Sequence, residues 1–181
     1  TRPILRSGAR PGDHVYVTGM LGGAAAAVAA WLEGAVPLPA ARAAYVQPTP
    51  RIREARWLAE RVELHALIDL SDGLSSDAAH LAAASSCRVI IHTPRLPVHP
   101  AAARGPQPLR LALAGGDDYE LCFTAAPDEM IQVHDAFETE FELPVTDVGE
   151  VSAGEGLTII GEDGAPLSGV TAGWDHFGAE P

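Results

Sequence analysis

Thiols are scarce. Cys87 and Cys122 are the only cysteines in 181 residues, and they form no C-x-x-C pair. A domain of this length does not need a disulfide staple, so a reducing compartment is the default reading, with the cytoplasm as the expected location. Basic residues are also few: 12 against 24 acidic ones, a net charge of −12 with histidines neutral. That charge repels a phosphate backbone and argues against non-specific nucleic-acid binding. An anionic small substrate would need a local cation. Long hydrophobic runs are missing too. The longest, Met20 to Leu32, falls short of the roughly 20 residues a membrane helix requires, so no membrane partner is expected. The opening TRPILRSGAR has no apolar signal-peptide core and no initiating methionine, which reads as a fragment or a processed product.

The remaining composition is that of a folded domain. Apolar residues make up 47% and charged residues 20%, enough to bury a core in a single domain. The 18 glycines and 15 prolines stay below the roughly 25–30% share that marks low-complexity chains.

Periodicity divides the chain into strands and helices. Strands are expected at His14–Thr18, Ala66–Leu70, Arg88–Thr93, Glu120–Thr124, Val145–Val151 and Gly156–Ile160, with a turn at Asp163-Gly164. Helices are expected at Ala24–Leu32, around Ala40–Tyr45, at Arg51–Glu63, Leu74–Ser85, Leu109–Ala114 and Pro127–Phe141. In Arg51–Glu63 the spacing puts Ile52, Ala55, Ala59 and Val62 on one apolar face. Pro94 to Pro108, with five prolines, reads as a loop. Strands and helices are mixed without strict alternation, which favours an α+β layer structure over a doubly wound sheet.

Four segments could carry chemistry. In Asp69-Leu-Ser-Asp-Gly-Leu-Ser-Ser-Asp77, Ser71 or Asp72 could cap the following helix and suit its dipole. Capping does not account for Asp69, which ends an apolar strand, where a carboxylate is costly unless paired, hydrogen-bonded or on a metal. Oxygen donors from Asp69 and Asp72, with no histidine or thiolate nearby, suit Mg²⁺ rather than zinc. Gly115-Gly116-Asp117-Asp118-Tyr119-Glu120 is either a helix stop with a polar turn, or a set of acids sharing a cation or a cationic substrate group. Gly19-Met-Leu-Gly-Gly-Ala24 matches neither a P-loop nor G-x-G-x-x-G, and close helix–strand packing suits it better than phosphate cradling. Gly173-Trp-Asp-His-Phe177 either pins down the C-terminal tail or offers rings to stack on a flat heterocycle. The seven histidines show no metal spacing, and His134 reads as a core-edge residue. No serine sits in G-x-S-x-G, so an acyl-transfer nucleophile has no support.

These segments, together with Arg6-Ser-Gly-Ala-Arg-Pro-Gly-Asp13 leading into Val15-Tyr-Val-Thr-Gly19, resemble in their order the C-terminal half of the thiamine-monophosphate kinase family. That family belongs to the superfamily of aminoimidazole ribonucleotide synthetase and selenophosphate synthetase, and the resemblance spans essentially the whole chain. It implies the α+β C-terminal fold of that superfamily and an enzyme that moves the γ-phosphoryl of ATP onto thiamine monophosphate, with Mg²⁺ as cofactor. It implies Mg²⁺ ligation by Asp69 and Asp72 and contact of Ser71 with the nucleotide phosphates. It places Asp117 and Asp118 at the thiamine substrate, flanked by Trp174 or Phe177. The family carries glutamate where this chain has Asp117, one methylene shorter.

The resemblance further implies that residues 1–181 form the C-terminal domain of a two-domain kinase whose N-terminal ATP-binding domain is absent from this chain. The full-length protein would then be a homodimer and the chain alone nearly inactive. Two other functions compete: another phosphotransferase or synthetase of the same superfamily, and a non-catalytic metal-binding or scaffolding domain.

Overall fold

Alternation along the strands decides the layers. In β1 (His14–Thr18), Val15 and Val17 join one buried cluster and Tyr16 another. The strand is therefore covered on both faces, as a near-continuous apolar sequence requires. The computed structural model describes residues 3–167. With β2 (Ala66–Asp69), β3 (Arg88–His92), β4 (Leu121–Ala125), β5 (Val145–Ser152) and β6 (Gly156–Ile160), β1 forms a six-stranded sheet of order β2-β4-β1-β5-β3-β6. All neighbours run antiparallel except β3 and β6.

Helices α1 (Gly23–Leu32), α2 (Pro39–Val46), α3 (Ile52–Ala59), α4 (Leu74–Ser85), α5 (Pro100–Ala103), α6 (Pro108–Ala114) and α7 (Pro127–Phe141) complete the domain. Leu74, Ala78, Leu81 and Ala82 of α4 and Leu113 of α6 pack on the face that carries Val15, Val17, Ile68, Ile91 and Val148. Met130 and Phe137 of α7 and Leu58 of α3 cover Tyr16, Phe123 and Val145 on the other. Tyr16 and Phe123 stack with centroids 5.4 Å apart, and Trp57 meets Phe137 edge-on at 5.8 Å. The alanines Ala27, Ala41 and Ala101 let α1, α2 and α5 approach closely. This is the expected α+β layering. No helix among the described residues is long and apolar enough to cross a membrane.

Two segments depart from the sequence pattern. The proline-rich stretch is not all loop: it holds a 3-10 turn at Thr93–Arg95 and the short α5. Pro94, Pro100 and Pro108 sit in the first helical positions, where a missing N–H costs nothing. The Arg51–Glu63 helix is shorter than expected, and its apolar face is met in part: Ala55 and Val62 join the buried cluster but Ile52 does not. Ile52 is 61% exposed whereas Glu54 is only 8% exposed, because the Arg51 guanidinium lies 3.4 Å from the Glu54 carboxylate and draws it inward.

Phe137→Ala is expected to cost about 3–5 kcal/mol in urea unfolding, as deletion of a fully buried ring does. Ile52→Ala, at the position the pattern assigned to the core, should stay within about 0.5 kcal/mol. Equal losses at the two sites would contradict the observed face of α3.

Candidate functional site

Asp69 ends β2 directly opposite Leu121, the first residue of β4. Pairing does not stop there. The Leu70 N–H donates to the Glu120 carbonyl at 2.8 Å, the Tyr119 N–H to the Leu70 carbonyl at 2.8 Å, and the Asp117 N–H to the Ser71 carbonyl at 2.9 Å. The two acidic segments are thus laced together by their backbones past the end of the sheet. Gly116, at φ +66°, makes the approach possible: a Cβ there would lie 2.7 Å from the Ser71 carbonyl oxygen. Asp117 and Tyr119 also take left-handed conformations, with φ of 58° and 51°. Each such residue costs on the order of 1–3 kcal/mol, strain that persists where surrounding contacts over-determine it.

The lacing puts Asp69 and Asp117 at the surface with Asp72 half-buried beside them. Tyr119 reports on all three. Its phenol donates to Asp117 Oδ1 at 3.1 Å. That bond, then the Asp117 charge, burial and the charges of Asp69 and Asp72 raise its pKa above the ordinary phenol value. The structure therefore brings the segments that carry Asp69, Ser71, Asp72 and Asp117 together.

The capping expectation is corrected. The N-cap of α4 is Gly73, which offers no side chain. Instead Asp77, in the first turn of α4, accepts the Asp72 N–H at 3.0 Å. Burial pushes Asp77 up to about 6; the bond from Asp72 opposes that shift and the charges of Asp72 and Asp69 reinforce it.

Asp118 and Glu120 turn away from this face. Asp118 accepts the Gly22 N–H at 2.9 and 3.0 Å, at the start of α1. The glycine stretch between β1 and α1 thus receives a carboxylate from within the chain. Glu120, 6% exposed, accepts from Arg51 Nη2 at 2.6 Å and Nε at 2.9 Å, and from the Thr18 hydroxyl at 2.7 Å. Glu120 is thus paired within the chain, by Arg51. Burial pulls the Arg51 pKa down, and the bonds and attraction to Glu120, aided by Glu54, more than restore it. Met20, Gln47, Arg51, His99 and Asp118 line a cavity of about 420 Å³ behind the turn. Sequence reasoning missed Arg51, Thr18 and Tyr119. Among them only Tyr119 carried a local signal, its place between the acids.

Among the described residues, no group of three or more His, Cys, Asp or Glu side chains is arranged to hold a metal. An incomplete all-oxygen pair such as Asp69 and Asp72 fits Mg²⁺, which is commonly held by one or two carboxylates with phosphate oxygens and water supplying the rest. Trp174 and Phe177 lie outside the described residues.

Burial pushes Asp118 up to about 7; the Gly22 and Gly23 amides oppose that shift, and the charges of Glu120 and Asp117 add to it. A carboxyl raised in the folded state lends stability that is full below its unfolded pKa, near 4, and lost as pH rises through about 7. Asp118→Asn lacks this dependence, so its melting temperature relative to wild type should climb between pH 4.5 and 7.5. A constant difference across that range would show that the carboxyl is not buried as described.

The sequence model of the family described as AIR synthase related protein, C-terminal domain, matches residues 10–162. The thiamine-monophosphate kinase of Escherichia coli K12 is 39% identical over 186 residues, covering 97% of this chain and 56% of the relative. The chain spans about half the length of the curated relatives it matches. The crystal structure of thiamine-monophosphate kinase from Stenotrophomonas maltophilia K279a superposes with a TM-score of 0.80 at 34% identity, covering 91% of this chain and 54% of that one. AaThiL complexed with AMPPCP and TMP superposes with a TM-score of 0.78 at 32% identity, over 96% of this chain and 54% of that one. The fold and the extent of the match agree: this chain belongs to the AIR synthase related, C-terminal domain family.

Proposed function

We propose that this chain is the C-terminal half of a thiamine-monophosphate kinase, an enzyme that transfers the γ-phosphoryl of ATP to the phosphate of thiamine monophosphate and yields thiamine diphosphate and ADP. The observation that carries the proposal is the backbone lacing, which sets Asp69, Asp72 and Asp117 on one face. The likeness to the E. coli kinase and to AaThiL with its two ligands supports it.

A chain with a net charge of −12 repels two anionic substrates. It can hold them only through bridging cations, and Asp69 and Asp72 are the residues that would hold Mg²⁺ there. When bound, that ion neutralises charge on the phosphoryl oxygens, the main requirement of phosphoryl transfer. Ser71, between the two acids, contacts the nucleotide phosphates. Asp117 faces the thiazolium of thiamine, whose positive charge gives an exposed carboxylate a reason to be there. Asp118, which the resemblance places at the thiamine substrate, turns away from that face and braces the turn through Gly22 instead. Trp174 or Phe177 flanks the thiamine rings. An oxygen of the acceptor phosphate attacks the γ-phosphorus as the bond to the ADP oxygen breaks, so no covalent intermediate with the protein is needed.

This reading assigns most of the nucleotide site and the homodimer contact to an N-terminal half. It places the enzyme in the cytoplasm, where the buried Cys87 and Cys122 stay reduced. The chain alone should show little or no turnover. Joined to an N-terminal half, it should form thiamine diphosphate, and Asp72→Asn should lower kcat at least about tenfold, equivalent to about 1.4 kcal/mol. An unchanged rate in that variant would leave only a non-catalytic domain of the same fold.

A further inference from the structure

We propose that Arg51 is a positioning residue, holding Glu120 so that the turn before it presents Asp117 beside Asp69 and Asp72; the proposal rests on the kinase reading above. Arg51 lies just ahead of α3, far from the acidic turn in sequence. Its guanidinium forks onto both Glu120 oxygens, at 2.6 and 2.9 Å. The side chains of this pair are 16% and 7% exposed. Glu120 Oε2 also accepts the Thr18 hydroxyl, and Thr18 Oγ1 in turn accepts the Leu121 N–H at 2.9 Å. The carboxylate is thus tied to α3 by an ion pair and to β1 by a hydroxyl, while its own backbone belongs to the strained turn.

Gly19 completes the device. A Cβ at that position would lie 2.1 Å from Glu120 Oε1, so the end of β1 is left bare for the carboxylate to enter. An interaction needed only to stabilise the fold could have been built from apolar side chains of similar volume at no loss of stability. A fork between a planar cation and a carboxylate instead fixes one orientation. That orientation sets the direction in which residues 117–119 leave the sheet, and with it the place of Asp117.

Arg51→Lys keeps the charge and loses the fork. In this chain joined to an N-terminal half, it should raise KM for thiamine monophosphate about tenfold while changing KM for ATP less than twofold. Amide exchange over residues 116–121 should accelerate at least tenfold, with α7 unaffected. Glu120→Gln, which keeps the shape and removes the charge, should give the same pattern and serves as the readout if Arg51→Lys does not fold. A lower melting temperature with unchanged KM and no local change in exchange would mean that Arg51 is only structural, and would overturn the proposal. If the joined wild-type protein makes no thiamine diphosphate, the kinase reading falls and exchange alone decides. Acceleration confined to residues 116–121 then upholds Arg51 as the anchor of the turn, and uniform acceleration overturns it.

Discussion

The backbone pairing that runs on past β2 and β4 is the constraint on which the site depends. It fixes Asp69 by register: Ile68 and Leu70 on either side are buried, so the carboxylate between them has to face outward. Slipping the ladder by one residue would bury Asp69 and expose both neighbours, at a cost no local rearrangement could offset. The acid at the strand end is therefore held in place by the hydrophobic core on either side of it. Its partner acid Asp117 is held by the same ladder from the opposite strand.

The acidic character of the chain is managed by giving carboxylates separate neighbours. Glu120 pairs with Arg51, Asp118 takes the first amides of α1, and Asp77 takes the Asp72 amide. Elsewhere Asp13 meets the buried His65 at 2.8 Å and Asp147 meets His14 at 2.6 Å. Each pairing removes a carboxylate from the pool that could repel an incoming phosphate, while Asp69 and Asp117 stay at the surface. A site built this way attracts cations first and anions only through them. That order suits the proposed transfer between two negatively charged substrates.

The fold was largely legible from the sequence because its signals are local. Strand alternation at Val15-Tyr16-Val17, the Pro127–Phe141 helix with Met130 and Phe137 inward, and the glycines after α6 each follow from short-range periodicity or backbone sterics. The proximity of the two acidic segments followed only from resemblance, since nothing in either segment says which strand lies next to which. Arg51 was invisible for a sharper reason. Its partner lies 69 residues away, and the same guanidinium also pairs with Glu54, which is buried where Ile52 is exposed. α5 was missed because its one proline, Pro100, occupies the helix start, which composition alone cannot distinguish from loop. Ser71 and Asp72 looked like caps because their residue types fit, whereas the carboxylate that accepts a backbone N–H here is that of Asp77 inside the helix.

The left-handed backbone at Asp117 and Tyr119 has a bearing on natural variation. Valine, isoleucine and threonine are genuine outliers in that region, whereas asparagine, aspartate and glycine enter it readily. A homologous chain with a β-branched residue at either place must have rebuilt its turn, however well the rest aligns. Those two columns of a comparison can therefore sort chains that keep this geometry from chains that have abandoned it, before any protein is made.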